Sequence, residues 1–169
     1  MSITQDQLKR LFNYREDGNL VRKVATSGPS GKVGVVIGSY LGDTTRPGKG
    51  YMATKISGKH YCVHKLIWMW HHGDMPEQID HINRNSLDNR IENLRVATAS
   101  QNTMNRKLFA NSTSGCRGVS WHKQRGMWWA YVDVNRRRTS LGYFDDLELA
   151  DLVAVEARSK YHGQFANVS

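Results

Sequence analysis

Cysteine is scarce in this chain of 169 residues, which contains only two. Cys62 and Cys116 lie far apart, and neither belongs to a CxxC pair. A disulfide framework and a cysteine-based zinc site are therefore not expected. The simplest interpretation is that both thiols are reduced, as in an intracellular protein.

Long hydrophobic runs are absent as well. The longest apolar stretch, residues 66–70, is far too short to span a bilayer, which takes about 20 residues. The first residues contain no apolar segment of the kind found in secretion signals. The basic residues do not form one amphipathic helix, as binding to a membrane surface would require. We therefore expect a soluble protein without a membrane partner.

Acidic residues are outnumbered by basic ones. The chain has 24 Lys and Arg against 15 Asp and Glu, which gives a formal net charge of +9 and a pI of about 9.8. A strongly basic protein favours a polyanionic partner. Because a membrane surface is not supported, nucleic acid is the predicted partner.

The first part of the chain predicts short helices and hairpins. Thr4 is a typical N-cap for a first helix, and Asp17-Gly18-Asn19 is typical of a hairpin turn. Leu66, Ile67 and Trp70 recur at helical spacing, which predicts a buried helix face. The predicted elements are a helix at 4–12, a hairpin at 14–24, a Gly-rich loop with short strand pieces such as 34–37, a hairpin at 51–63 and a helix at 63–72.

Residues 78–108 predict a strand, a loop, a second strand and a helix. The strands cover residues 78–82 and 94–97, and the loop between them is rich in Asn and Asp. Thr98 and Gln101 have the spacing of a capping box, so a helix is expected to begin there. Asn102 then falls in the first turns of this helix, close to the ends of both strands. Asn85 and Asn89 are interpreted as loop-forming residues.

Three side chains in this segment suit the hydrolysis of a phosphodiester. Asp80 and Asn102 offer a carboxylate and an amide oxygen, which are suitable ligands for Mg²⁺. His81 offers an imidazole that can accept a proton near neutral pH. Neighbouring residues on a strand point to opposite faces, so Asp80 and His81 can serve one site only if the strand ends or twists there.

This pattern resembles the HNH nuclease family, and most closely its homing endonucleases from phages and mobile introns. The resemblance lies in Asp80-His81, Asn93 within IENLR, Asn102 within TASQN, and the lead-in VHKLIWMWHHGDMP. It implies a ββα-metal fold in which His81 is the general base, while Asp80 and Asn102 bind Mg²⁺ or Mn²⁺. Asn93 would bind the loop backbone and hold His81 in place. Asn102 in place of a final His, and the lack of zinc cysteines, suit the homing branch.

After a polar stretch around Asn111, the sequence predicts a second domain. Its elements are strands at 119–123, 127–135 and 138–144, followed by a helix at 147–162. Asp145 and Glu148 have the spacing of a capping box at the start of this helix. Its predicted buried stripe consists of Leu149, Leu152, Val153, Ala157 and Tyr161. We expect a nuclease domain over residues 1–110, and a linker with a DNA-binding domain over residues 111–169.

The second domain resembles the apetala-two/ethylene-response-factor DNA-binding family. The resemblance lies in GCRGV at 115–119, Trp128, Ala130, LGYF at 141–144 and HGQFAN at 162–167. It implies a three-stranded sheet in the DNA major groove with a helix packed behind it. Strand alternation puts Trp129 and Tyr131 on the outward face, although partial burial in the core remains open for both. The predicted DNA-binding residues are Arg117, His122, Arg125, Trp129, Tyr131, Arg138 and Ser140, together with Arg90 and Arg95, for which an ordinary solvated-charge role remains open.

The combined prediction is an α+β protein, in which a ββα-metal nuclease is joined to a small three-stranded antiparallel sheet with one packed helix. The predicted function is metal-dependent cleavage of double-stranded DNA by a homing-type endonuclease, which leaves a 5′-phosphate and a 3′-hydroxyl. We expect a monomer in the cytoplasm, that of the host cell if a phage encodes it. Two alternatives remain open: a DNA-binding regulator with an inactive nuclease-like half, and a nuclease used in defence or DNA packaging.

Overall fold

The computed structural model describes residues 3–28, 31–42, 50–104, 112–134 and 137–166. Helices and strands are mixed along the chain, which is compatible with the predicted α+β class. The chain divides into two compact units, Met1–Ala97 and Thr98–Ser169, each with its own hydrophobic core. The predicted linker at Asn111 lies outside the described residues, so a boundary there stays a prediction. In the part of the chain that is described, no helix is long and apolar enough to cross a membrane.

The first unit opens with a helix and a hairpin. Helix α1 (Gln5–Leu11) is capped by Thr4, whose side chain accepts from the backbone N–H of Gln7 in a capping box. Strands β1 (Phe12–Arg15) and β2 (Asn19–Arg22) pair antiparallel. Gly18 closes the turn between them with φ +81°, a left-handed conformation that glycine adopts without strain. The predicted helix and hairpin are therefore confirmed.

A three-stranded antiparallel sheet follows, formed by β3 (Ser39–Leu41), β4 (Tyr51–Ile56) and β5 (Lys59–Cys62) in that order. The β4–β5 hairpin was predicted. Strand β3 was not, because its three exposed residues show no alternation of buried and exposed positions. The expected strand piece at 34–37 is instead an isolated bridge between Val21 and Val36.

Helix α2 (Val63–His72) forms the centre of the first core. Its buried residues are Val63, Leu66, Ile67 and Met69, whereas Trp70 packs at the edge of the core. The next strands, β6 (Ile79–His81) and β7 (Leu94–Val96), pair antiparallel with Asp80 opposite Arg95. Ile79 and Leu94 pack into the same core as α2. The core therefore fixes the position of the two strands that carry the candidate site.

The second unit begins with α3 (Ala99–Met104), which starts at the predicted capping box of Thr98 and Gln101. Strands β8 (Val119–His122), β9 (Met127–Val134) and β10 (Arg137–Phe144) form an antiparallel sheet with β9 in the centre. Helix α4 (Leu147–His162) packs against this sheet. The three predicted strands and the helix are confirmed, while residues 135 and 136 lie outside the described residues.

The buried face of α4 differs from the prediction. The helix buries Ala150, Ala154, Ala157 and Arg158, while the exposed fractions of Leu149, Leu152 and Tyr161 are 49%, 64% and 52%. Small side chains let the helix approach the sheet closely, and the core they form contains Val119 and the fully buried Ala130. The helix cap was also misplaced by one residue, because Asp146 rather than Asp145 accepts from the N–H of Leu149.

Candidate active site and nucleic-acid interface

Asp80 is a buried carboxylate with an arginine partner. It lies on β6 with 7% of its surface exposed. The Nε and Nη2 atoms of Arg95 donate to its Oδ2 at 2.8 and 2.6 Å. The pairing follows from the register, which places the two residues opposite each other on one face of β6 and β7. A buried charge needs such a partner, because desolvation of a lone carboxylate is costly.

His81 is the last residue of β6, so the strand ends at this point as the candidate site requires. Its Nε2 lies 3.0 Å from the side-chain Oδ1 of Asn89, a buried residue of the loop. An amide oxygen only accepts hydrogen bonds, so this contact holds the hydrogen of a neutral imidazole on Nε2. The lone pair is then on Nδ1. Asn89 was interpreted as a loop former, and its contact with His81 was missed.

The Asn93 side chain holds the loop together through hydrogen bonds to the loop backbone. Its Oδ1 accepts from the N–H of Asn83 at 2.9 Å, and its Nδ2 donates to the carbonyl of Asp88 at 2.7 Å. This is the backbone contact that the resemblance implied. The side chain that touches His81, however, belongs to Asn89. The contacts expected of Asn93 are therefore divided between two residues: Asn93 binds the loop backbone, and Asn89 contacts His81.

Asp88 and Asn83 form the polar frame of the same loop. The Asp88 carboxylate accepts from Arg90 Nε and Nη2 at 2.8 and 2.7 Å, and from Asn83 Nδ2 at 2.7 Å. The side-chain hydrogen bond from Arg90 has the largest effect on Asp88. Together these hydrogen bonds lower the pKa of Asp88 to about 2. Neither residue was singled out from the sequence. Arg90 itself is exposed, and its predicted contact with DNA stays a prediction.

His64, on the first turn of α2, lies beside the candidate general base. Its ring meets the His81 ring edge to face, with 5.2 Å between centroids, and approaches the Tyr51 ring in the same way at 6.2 Å. Burial, assisted by the neighbouring His81, lowers the pKa of His64 to about 4. His64 is therefore neutral at physiological pH. The His64 ring therefore packs between Tyr51 and the candidate general base.

The expected ligands of a metal ion are distributed over both units. Asp80 lies in the first unit, and Asn102 lies on α3 in the second. Among the described residues, no group of three or more His, Cys, Asp and Glu could hold a metal ion. A cation bound to Asp80 would therefore need amide oxygens or waters as further ligands, which suits Mg²⁺. The pairing of Asp80 with Asn102 stays a prediction.

Most of the predicted DNA-binding residues of the second unit are joined by contacts on one sheet face. Trp129 and Tyr131 lie 4.8 Å apart between ring centroids, and Trp129 Nε1 donates to Ser140 Oγ at 2.8 Å. The Arg138 guanidinium lies 3.9 Å from the centroid of the Tyr131 ring. It also donates two hydrogen bonds to the Asp133 carboxylate. We call this surface the aromatic face; it consists of His122, Arg125, Trp129, Tyr131, Arg138, Ser140 and Tyr143.

Tyr143 was missed because β10 is irregular. The pairing of β10 with β9 shifts register between Ser140 and Gly142, so the alternation of faces changes there. Tyr143 therefore joins Ser140 on the aromatic face, where it contacts Arg125 at 4.5 Å and His122 at 5.2 Å. Arg117, also predicted, lies before β8 and contributes its backbone carbonyl to the buried Arg158.

Comparison with known proteins gives a match to a nuclease domain over the segment that carries the candidate site. The HNH endonuclease family matches residues 61–104, which contain the end of β5, then α2, β6, the Asn-rich loop, β7 and α3. Protein 3.8 of Escherichia phage T7 is 35% identical over 105 residues, which cover 61% of this chain and 86% of the phage protein. The chain belongs to the same family as this phage protein, and its residues 61–104 match an HNH endonuclease domain. An HNH domain supports nuclease activity and implies DNA as the substrate. No solved structure matches the chain.

Proposed function

We propose that this protein is a metal-dependent DNA endonuclease that leaves 5′-phosphate and 3′-hydroxyl ends. The observation that carries the proposal is the contact of His81 Nε2 with Asn89 Oδ1 at 3.0 Å. Because this contact keeps the hydrogen on Nε2, the Nδ1 lone pair can accept a proton from water. His81 would then act as the general base, a role that typically accelerates a reaction by about 10² to 10⁴-fold.

A divalent cation would supply the remaining chemistry, and Mg²⁺, with Mn²⁺ as a substitute, is the ion we propose. When bound, it would neutralise negative charge on the phosphoryl and leaving-group oxygens. Asp80 and Asn102 are the residues proposed to hold it, since Mg²⁺ prefers oxygen ligands and needs few from the protein. The buried position of Asp80 and its attraction of the Arg95 guanidinium support a cation site there.

The second unit is proposed to be a DNA-binding domain of the apetala-two/ethylene-response-factor type. An antiparallel three-stranded sheet with one packed helix supports this, and so do the exposed arginines on its aromatic face. Arginine is the most common reader of guanine in the major groove. A linked binding domain would raise the local concentration of the nuclease at its target. The fused arrangement and the phage relative support a homing-type role for the enzyme.

Cleavage of supercoiled plasmid and of host genomic DNA tests the proposed function. Wild type with Mg²⁺ should convert supercoiled plasmid into nicked or linear DNA, and EDTA should prevent this. His81→Ala should slow conversion by at least about 100-fold. His60→Ala is the matched control, because His60 is an exposed histidine on β5 of the same unit.

Equal rates for wild type and His81→Ala would remove His81 from the role of general base. If wild type with Mg²⁺ or Mn²⁺ cleaves neither substrate yet binds DNA, the protein is instead a regulator with an inactive nuclease-like half.

A further inference from the structure

The turn of the β1–β2 hairpin lies directly against the segment that carries Asn89. Gly18 is buried in this turn, and a Cβ placed on it would come within 2.5 Å of the backbone nitrogen of Arg90. The same Cβ would lie 2.7 Å from the carbonyl carbon of Asn89. The hairpin backbone therefore packs on the peptide bond between Asn89 and Arg90, so closely that only glycine fits.

A hydrogen bond fixes the other end of this short segment. The Tyr14 hydroxyl, on β1, accepts from the backbone N–H of Ile91 at 3.1 Å. The Tyr14 ring is held in turn by Trp70 and His71 of α2, at centroid distances of 5.8 and 4.5 Å. Burial, opposed by this hydrogen bond, raises the pKa of Tyr14, so the hydroxyl keeps its proton at neutral pH.

We propose that the β1–β2 hairpin positions the general base, with Gly18 and Tyr14 acting on His81 through Asn89. The amide oxygen of Asn89 can orient the imidazole only while the backbone of Asn89 is fixed. Gly18 and Tyr14 hold that backbone on both sides, at the Asn89–Arg90 peptide and at Ile91. Neither residue touches the reacting atoms. The inference rests on the proposed function only in assigning His81 as the base.

The tautomer of His81 gives a direct test that does not depend on cleavage. Long-range ¹H–¹⁵N spectra distinguish hydrogen on Nε2 from hydrogen on Nδ1, and the His81 signals can be assigned by their loss in His81→Ala. Wild type should show the Nε2–H form. Gly18→Ala should show a mixture of tautomers, since its Cβ displaces the Asn89–Arg90 peptide.

Gly34→Ala is a closely matched control for Gly18→Ala. The φ angles of the two glycines are +83° and +81°, so an alanine meets similar backbone strain at either position. Apart from its chain neighbours, no described residue has an atom within 4 Å of a Cβ on Gly34, so this variant lacks the contact with the loop. A difference between the two variants therefore reports the contact and not the strain.

Cleavage kinetics give the second readout. Gly18→Ala should lower kcat about 10- to 100-fold, because a displacement of about 1 Å in a catalytic group has effects of this size. KM for DNA should stay within about threefold of wild type, since no contact with substrate is removed. Gly34→Ala should match wild type in both constants. The inference is overturned if Gly18→Ala and Gly34→Ala have the same His81 tautomer and the same kcat.

Tyr14→Phe decides the question if Gly18→Ala does not fold. It removes one hydroxyl and keeps the ring that packs on Trp70 and His71. A shifted tautomer with a severalfold lower kcat is expected, and wild-type values for both would overturn the inference. If wild type does not cleave DNA but the tautomer responds to these substitutions, the positioning holds and only the proposed nuclease function fails.

Discussion

Asp80 and Arg95 form an ion pair between opposite positions of β6 and β7. Asp80 was expected to bind a metal ion and Arg95 to contact phosphate. In the structure both belong to one buried pair, with 9% and 14% of their side chains exposed. The positive charge of Arg95 stabilises a carboxylate that would otherwise be desolvated without compensation. A cation at Asp80 would therefore bind where a guanidinium is already present.

Replacement of Arg95 with Met should destabilise the metal-free protein. The free energy of unfolding should fall by on the order of 3 kcal/mol, because the substitution leaves a buried carboxylate without its partner. Mg²⁺ should raise the melting temperature of Arg95→Met more than that of wild type, since the ion replaces the lost positive charge. Thermal unfolding in EDTA and in Mg²⁺ measures both effects.

Arg15→Met is the control for this experiment. Arg15 pairs with Asp17 on the surface, where 55% and 42% of the two side chains are exposed. Exposed pairs contribute at most about 1 kcal/mol. Equal stability of Arg95→Met and Arg15→Met in EDTA would contradict the proposed role of the buried pair.

Asp88 should make the loop sensitive to acid. Its pKa of about 2 lies below the usual 3.8, so the ionised form is favoured by folding. The stabilisation is therefore complete above about pH 4 and is lost as the pH falls through 2. Asp88→Asn should be less stable than wild type at pH 6, and the difference should disappear toward pH 2. Urea unfolding of both proteins at several pH values measures this, and a constant difference would contradict it.

The sequence predicts candidate catalytic and metal-binding residues, but it does not predict the contacts that support them. Asp80, His81 and Asn93 carry recognisable side chains at recognisable spacings. Asn89 looks like any other asparagine of a polar loop, since its burial and its contact with His81 depend on how the loop closes. The backbone of Asn89 also packs on Gly18, which is far away in the sequence. Such long-range contacts leave no periodic pattern.

Helix α4 illustrates why an apolar stripe can mislead. Leu149 and Leu152 have helical spacing, and hydrophobicity alone predicts that they are buried. The structure instead packs the alanines of α4 on the sheet, because close contact between helix and sheet requires small side chains. Periodicity located the helix correctly, but residue size decided which of its faces packs.

Substitutions on α4 can separate the effect of hydrophobicity from the effect of side-chain size. Ala154→Leu should lower the stability of the second unit by about 1–3 kcal/mol, because a larger side chain does not fit against the sheet. Leu152→Ala should change it by less than about 0.5 kcal/mol, since that side chain is exposed. Denaturant unfolding followed by tryptophan fluorescence measures both. If Leu152→Ala lowers the stability more than Ala154→Leu does, the predicted burial of Leu152 is correct after all.

For strands β9 and β10, the sequence predicts some of the outward-facing residues but not all of them. Regular alternation correctly predicted that Trp129 and Tyr131 lie on one face of β9, and the structure buries Ala130 and Val132 on the other face. The register shift in β10 broke the alternation and brought Tyr143 to the aromatic face. A bulge depends on local backbone geometry and is not visible in a pattern of side chains.

Under the proposed function, DNA cleavage and target recognition are assigned to different segments of the chain. The HNH match covers residues 61–104, whereas the aromatic face lies entirely within the second unit. The net charge of +9 favours DNA binding by the chain as a whole, but charge alone gives no sequence preference. Under the proposed function, changes on the aromatic face should therefore affect affinity and leave the chemical step intact.

The double variant Trp129→Ala/Arg138→Ala in the full chain tests this separation. Loss of a stacking platform and an arginine contact should raise the Kd for DNA by at least about tenfold, since each contributes on the order of 1–3 kcal/mol. The cleavage rate at saturating DNA should remain that of wild type. Lys160→Ala is the control, because it removes the same charge from the exposed surface of α4 in the same unit. Fluorescence anisotropy at several salt concentrations gives the Kd. If the double variant binds like Lys160→Ala, target recognition does not lie on the aromatic face.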